Sequence, residues 1–197
     1  MAQRLASRVG ELARREPALT ALLCMAVAGV AISLYLTGVH YLNVPLACST
    51  SGVVDCAPVL QSTYSVVPGT QLPITVPGLL WFVASGTLAG MALARAWAGR
   101  PEPRWLRPAH AAWGAAGLLV VLYLVYAEIV QLHRICAWCT VVHLLTLATF
   151  LVALARLQQL DVPPAAAPPT PQPRQRPQRG RAPTARRNVS TPARRAR

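Results

Sequence analysis

The chain has 197 residues, of which 54% are hydrophobic and only 13% are charged. A soluble domain usually carries about 25% charged residues, so lipid rather than water is expected to surround much of this chain. The net charge is +13 and all 19 basic residues are Arg, but nine of them lie in a Pro-rich stretch at the end, which argues against a nucleic-acid site.

The first 17 residues are predicted to be a basic cytoplasmic leader. Leu5, Val9 and Leu12 recur in it at helical spacing, which fits either a short helix on the membrane surface or a leader without fixed structure. The apolar stretch from residue 18 to residue 39 follows, and it is too long for the apolar part of a signal peptide. Cys24 within it is predicted to pack as a small apolar side chain.

Three more apolar stretches follow, over residues 77–94, 113–130 and 136–155. Each is close to the roughly 20 residues that span a bilayer, so we predict an all-α bundle of four transmembrane helices as one domain over residues 18–156. All Arg residues but Arg134 lie in the leader, between spans two and three, or after span four. This asymmetry predicts cytoplasmic termini and outward-facing connections at residues 40–76 and 131–135.

The remaining residues, 157–197, are predicted to be a disordered, basic cytoplasmic tail. This stretch has few large apolar side chains to bury, so it cannot offset the entropy lost on ordering. Its Arg residues are expected to be attracted to anionic membrane lipid.

Four of the five Cys form two pairs on the side predicted to be oxidising. Cys48 and Cys56 lie in the long outward connection, and Cys136-Ala-Trp-Cys139 begins span four. A helix N-terminus favours the thiolate, which is the reactive form in disulfide exchange. Zinc would call for two C-x-x-C pairs or nearby His residues, so no metal is predicted. Two structural disulfides are an open alternative, but a C-x-x-C bridge closes too small a loop to stabilise much, so a redox relay is favoured.

The whole pattern resembles bacterial homologues of vitamin K epoxide reductase over residues 19–155. The likeness rests on the two Cys pairs and on further positions in the same order, namely Ser62, Gly69, Gly78 and the region of Glu128. The resemblance implies a multi-pass protein of the bacterial inner membrane. Its four helices would surround a quinone, menaquinone or ubiquinone, with the long extracytoplasmic loop between helices one and two as a cap.

The resemblance also implies the reaction. A reduced extracytoplasmic thioredoxin-fold partner of the DsbA kind would attack the loop disulfide at Cys48, and Cys56 would then exchange with Cys136. Cys139 would pass the electrons to the quinone. These four Cys would make the protein a quinone-dependent thiol-disulfide oxidoreductase that supports disulfide-bond formation.

Four residues are implied at the quinone. His143 stands where vertebrate members have a Tyr that hydrogen-bonds to the quinone, and His can also donate. Ser62 would order the loop or the site, and Trp138 is either a packing aromatic or part of the quinone pocket. Glu128 either acts on the thiols or faces water as an interfacial carboxylate, and the second reading is favoured. Ile74 falls near a polar Asn of vertebrate members, which favours a simple quinone over vitamin K epoxide.

Three alternatives stay open. A DsbB-type oxidase also has four spans and two Cys pairs, but there the C-x-x-C is expected on the first outer loop. The protein could instead be a non-enzymatic four-span scaffold with structural disulfides. It could also be a quinone or vitamin K epoxide reductase without a dedicated DsbA-like partner.

Overall fold

The computed structural model describes residues 10–11, 13–42, 46–48 and 52–159. Within these residues the chain is helical, with two isolated β-bridges and no strand. Four helices are long and apolar enough to cross a membrane, which confirms the predicted all-α four-span fold. The elements are α1 (Pro17–Leu42), α2 (Cys56–Leu60), a 3-10 turn (Thr63–Ser65), α3 (Thr75–Trp97), α4 (Leu106–Tyr126), a π-helical continuation of α4 (Ala127–Leu132) and α5 (Ala137–Gln158).

The observed helices are longer than the apolar stretches that predicted them. Helix α4 begins seven residues early, because Arg107 and Pro108 are tolerated in its first turn although they lower the local hydropathy. Its π-helical continuation takes up the first two residues of the predicted outward connection at 131–135, and α5 extends two residues into the predicted tail. Most of the predicted tail, and the Leu5, Val9 and Leu12 pattern, lie outside the described residues.

Small residues let the long helices approach closely. A Cβ on Gly29 of α1 would overlap the ring of Phe82 in α3, and a Cβ on Gly117 of α4 would overlap the indole of Trp81. Lipid provides no hydrophobic drive for helices to associate, so such close packing is a main source of their stability. The glycines therefore set how α1, α3 and α4 fit together.

The outer surface of the bundle is apolar, as lipid contact requires. Large side chains such as Leu80 and Leu119 point away from the bundle. Cys24 does so as well, and the prediction that it packs inside is therefore wrong. The reason is rotational: Leu22, Ala26 and Gly29 form the buried stripe of α1, and position 24 falls outside it. The buried stripe continues with Ser33 and Leu36.

The two ends of the bundle differ in chemistry. We call the end of the bundle at which the chain passes from α4 to α5 the cysteine end. The opposite end carries Arg107 and Arg156, and we call it the arginine end. At the arginine end, Glu102 accepts hydrogen bonds from Arg107 at 2.8 Å and from Arg156 at 2.9 Å. These ion pairs tie the α3–α4 connection to the last turn of α5.

Candidate functional site

A short backbone bridge joins the chain before α2 to the chain before α5. The N–H of Ile135 donates to the carbonyl of Val53 at 2.9 Å, and the N–H of Asp55 donates to the carbonyl of Ile135 at 3.0 Å. The pairing is parallel, so both segments leave it in the same direction. The next residue on each side is a cysteine, Cys56 or Cys136, and the bridge therefore brings the two Cys pairs together.

The two pairs share one apolar cluster at the cysteine end. Cys56 and Cys136 are both 0% exposed and lie in this cluster with Val59. Cys48 and Cys139 pack against it and are only partly buried. Cys48 and Cys56 form a disulfide with Cα atoms 6.2 Å apart, whereas Cys136 and Cys139 are thiols. The first pair thus offers one reachable sulfur and one buried sulfur.

Cys136 occupies the N-cap position of α5. Its sulfur accepts a hydrogen bond from the backbone N–H of Cys139 at 3.3 Å. The pKa of Cys136 is lowered from the ordinary thiol value, chiefly because the Cys139 side chain hydrogen-bonds to its sulfur, and the backbone N–H adds to this effect. Burial acts in the opposite direction. The favoured thiolate at Cys136 follows from the C-x-x-C spacing at a helix start.

Two aromatic side chains form hydrogen bonds with the backbone of Ala47, the residue that precedes Cys48. The indole N–H of Trp138 donates to the carbonyl of Ala47 at 2.8 Å, and the N–H of Ala47 donates to the hydroxyl of Tyr35 at 3.1 Å. The two rings contact each other, with centroids 5.3 Å apart. We call Tyr35 and Trp138 the Ala47 clamp. Sequence reasoning missed Tyr35, whose only signal is an aromatic near the end of α1.

The Ala47 clamp is also relevant to the predicted role of Trp138 at the quinone. Among the described residues that line the large apolar cavity inside the bundle, Trp138 does not occur. Its indole N–H is engaged by the segment that carries Cys48. The described contacts place the indole beside Ala47, and a role of Trp138 at the quinone stays a prediction.

Glu128 is buried, with 6% of its surface exposed, so the favoured prediction that it faces water is wrong. It lies in the π-helical continuation of α4, whose wider turn rotates the side chain into the bundle. The carboxyl group interacts with the backbone of Cys136 and with the Cys139 side chain. Its backbone carbonyl accepts from the N–H of Arg134 at 3.1 Å, and the Arg134 guanidinium binds the carbonyl of Gly52 at 2.8 Å.

A small cavity of about 40 Å³ lies beside the thiols, and four predicted site residues line it. They are Ser62, Glu128, Cys139 and His143. The Ser62 hydroxyl donates to the carbonyl of Val59 at 2.7 Å, which ties the 3-10 turn to α2 as a loop-ordering residue would. The structure therefore brings these four residues together around one small cavity.

A larger cavity of about 440 Å³ opens between α1, α3, α4 and α5. Its walls are mostly apolar, and Cys139, His143 and Thr146 supply polar atoms at one side. Pockets for organic ligands commonly measure about 300–1,000 Å³ and combine apolar walls with a few polar groups. The volume and lining fit a flat, apolar molecule with polar oxygens. Other residues on the wall include Ile74, Gly78, Trp81, Trp113, Gly117 and Val121.

The fold and the site define a class: a multi-pass membrane protein with two cysteine pairs at one end of a four-helix bundle. The chain matches the model of the vitamin K epoxide reductase family over residues 20–154, and it belongs to that family. A comparison with curated proteins found no significant match. Membership of this family makes the protein an oxidoreductase of the membrane that acts on thiols and on quinone-type groups.

Proposed function

We propose that the protein is a thiol oxidase that reoxidises an extracytoplasmic thioredoxin-fold protein of the DsbA kind. The electrons pass through both Cys pairs to a membrane quinone, menaquinone or ubiquinone. The observation that carries this proposal is the position of Cys139, which packs against the cluster of both pairs and also lines the apolar cavity. The Arg distribution supports a bacterial inner-membrane orientation with the cysteine end outside.

The first step occurs at Cys48. A thiolate of the reduced partner attacks the Cys48 sulfur, because Cys56 is fully buried whereas Cys48 is partly exposed. The Cys48–Cys56 bond breaks and Cys56 leaves as a thiolate. The second thiol of the partner then attacks the mixed disulfide, so that the partner leaves oxidised and both hydrogens remain on Cys48 and Cys56.

The second step passes the electrons inward. Cys56 attacks Cys136 of an oxidised Cys136–Cys139 pair, and Cys139 leaves as a thiolate. Cys48 then attacks Cys56, which re-forms the loop disulfide and releases Cys136. A thiol with a lowered pKa leaves more readily, so the hydrogen bonds at Cys136 favour this release. The loop pair is a disulfide and Cys136 and Cys139 are thiols, which is the arrangement that this step would leave.

The larger cavity fits a quinone, with Cys139 and His143 at one side of its apolar wall. When bound there, the quinone supplies an acceptor for two electrons and two protons. We assign His143 to hold a quinone oxygen by hydrogen bonding. Glu128 is in contact with the Cys139 thiol, and we assign its carboxylate to take that proton. Ser62 orders the turn that lines the small cavity.

A complementation assay tests the proposal. The protein is expected to restore disulfide formation in bacterial cells that lack their own thiol oxidase, and Cys139→Ala is expected to abolish this. Cys24→Ala is the matched control, because Cys24 is exposed on the outer face of α1 and lies outside the site. Full activity of Cys139→Ala would refute the relay.

A trapping experiment then tests the order of the steps. In Cys139→Ala, the Cys136 thiolate can attack Cys56 of the loop disulfide and release Cys48 as a thiol. Cys139 is then absent and cannot resolve the Cys56–Cys136 bond, so this mixed disulfide is expected to accumulate and to be detected as a cross-linked peptide. A purely structural role of the cysteines predicts no such peptide. Quinone reduction with a small dithiol but never with a thioredoxin-fold protein would instead favour a reductase without a dedicated partner.

A further inference from the structure

Three buried polar side chains between the large cavity and the arginine end have unsatisfied hydrogen-bonding groups. They are the hydroxyls of Ser85 and Thr149 and both ring nitrogens of His110, and each residue is 1% exposed. Buried polar atoms in folded proteins are almost always hydrogen-bonded, either to protein or to ordered water. Polar atoms in this region therefore call for partners that the described side chains do not supply.

Thr149 continues a polar stripe on the buried face of α5. His143 and Thr146 line the large cavity, and Thr149 follows Thr146 one turn nearer the arginine end. The stripe ends at the buried Arg156, which pairs with Glu102. From Thr146 to Arg156 the helix rises about 15 Å, at 1.5 Å per residue.

His110 of α4 lies beside the part of this stripe between Thr149 and Arg156. A Cβ on Gly114 would lie 3.1 Å from the backbone of Phe150, and this contact sets the register of α4 against α5. His110 lies one turn nearer the arginine end than Gly114, and thus between the levels of Thr149 and Arg156. It interacts electrostatically with both Arg156 and Glu102.

Ser85 of α3 belongs to the same layer. The indole N–H of Trp81 donates to the carbonyl of Trp113 at 3.2 Å, and that of Trp113 donates to the carbonyl of Trp81 at 3.2 Å. This reciprocal pair sets the register of α3 against α4. Ser85 follows Trp81 by one turn, and His110 precedes Trp113 by about one turn, so both lie on the arginine side of the pair.

We propose that Ser85, His110 and Thr149 hold a file of ordered water molecules that joins the Glu102–Arg156 ion pair to the large cavity and conducts protons toward it. A buried water needs two to four polar partners, which these groups and Thr146 provide. Imidazole can both donate and accept, so His110 can pass a proton between its two nitrogens.

The direction of proton flow rests on the proposed function. Oxidation of Cys136 and Cys139 breaks two S–H bonds, forms one S–S bond and releases two electrons and two protons. Quinone reduction takes up two electrons and two protons. The water file supplies the quinone protons from the arginine end, whereas the thiol protons leave through Glu128 at the cysteine end.

Radiolytic hydroxyl-radical labelling in isotopically heavy water tests for the water file in quinone-free protein. Radicals form from bound water, so His110 is expected to be oxidised in spite of its burial, whereas Leu22, which is equally buried in an apolar cluster, is expected to stay unlabelled. Thr149→Val and Ser85→Ala should each lower the labelling of His110. Thr87→Val is the matched control, since its hydroxyl already donates to the carbonyl of Val83. Unlabelled His110 in the wild-type protein would overturn the proposal.

Proteoliposomes with a trapped pH dye test the direction. A reduced thioredoxin-fold partner added outside reacts only with molecules whose cysteine end faces outward. The lumen should then become alkaline as quinol forms, and Thr149→Val should lose this signal while Thr87→Val keeps it. Quinol formation by the wild type without a lumenal change would refute the path. Absence of quinol would count against the proposed function instead, and the labelling result would still decide whether the water file exists.

Discussion

The Ala47 clamp gives the most quantitative prediction. Trp138→Phe removes the indole N–H that binds the carbonyl of Ala47 but keeps an aromatic ring beside Tyr35. Tyr35→Phe removes the hydroxyl that accepts from the N–H of Ala47. The double variant therefore deletes both polar contacts to the peptide that precedes Cys48, with little loss of apolar contact.

The size of the effect follows from the two hydrogen bonds. Each contributes about 0.5–1.5 kcal/mol net, so together they hold Cys48 in position by about 1–3 kcal/mol. Positioning raises the effective concentration of Cys48 at Cys56 and thus stabilises their disulfide. Since 30 mV corresponds to about 1.4 kcal/mol for this two-electron couple, the reduction potential of the loop disulfide should rise by about 20–65 mV in the double variant.

The assay equilibrates purified protein in glutathione buffers of graded potential, quenches with an alkylating reagent and measures the masses of the peptides that carry Cys48 and Cys56. A control with Trp97→Phe and Tyr123→Phe alters the same residue types at exposed positions away from the site. If the double variant at the clamp keeps the wild-type midpoint, the clamp does not position Cys48. Equal shifts in both double variants would mean that the effect is general rather than local.

Three further predictions concern the thiol, the packing and the ion pairs. Cys139→Ala should raise the pKa of Cys136, since it removes the main hydrogen bond to that sulfur, and the ultraviolet absorbance of its thiolate should appear at higher pH. Gly117→Ala should lower the free energy of unfolding by about 1–3 kcal/mol, because its Cβ would overlap a Trp indole, whereas Gly90→Ala meets no atom within 4 Å and should be neutral. Glu102→Gln should cost about 3–5 kcal/mol, because it leaves a buried Arg without its charge partner.

Each of these has a control or an opposing outcome. The thiolate titration is done in a background without Cys24, Cys48 and Cys56, so that Cys136 stays a thiol, and an unchanged profile would contradict the assigned hydrogen bond. Thermal unfolding in detergent reports the packing change, and equal melting temperatures for both glycine variants would contradict the close helix contact. Glu11→Gln is the control for the ion pair, because the Glu11–Arg15 pair is exposed and should contribute only about 0–1 kcal/mol.

The four spans could be predicted from the sequence because each depends on a local property, the hydropathy of about 20 consecutive residues. The helix ends were predicted less well, since Pro108 and Arg107 begin α4 in spite of their low hydropathy. The π-helical continuation at Glu128 could not be predicted either. Its wider turn changes which side chains face inward, and no local sequence pattern marks the change.

In the site, too, features with a local sequence pattern could be predicted, whereas contacts between distant residues could not. The Cys136–Cys139 spacing at a helix start is local, and it predicted the chemistry of that pair. The bridge between Val54 and Ile135 joins residues that are far apart in the chain, and one such pairing has no signature in a single sequence. The same holds for the contact of Tyr35 with Ala47, which depends on where α1 ends relative to α5.

The burial of the four cysteines bears on specificity in the proposed relay. Cys56 and Cys136 are fully buried in one cluster, so a soluble thiol meets the loop disulfide only through Cys48. Cys139 lines the apolar cavity, which the proposed relay assigns to a lipid-soluble acceptor. In this relay, the buried sulfurs of Cys56 and Cys136 react only with each other, with Cys48 or with Cys139. Small reductants in solution can therefore react with the loop disulfide only at Cys48. Selection of the electron donor then depends on the surface around Cys48, and selection of the acceptor depends on the cavity beside Cys139.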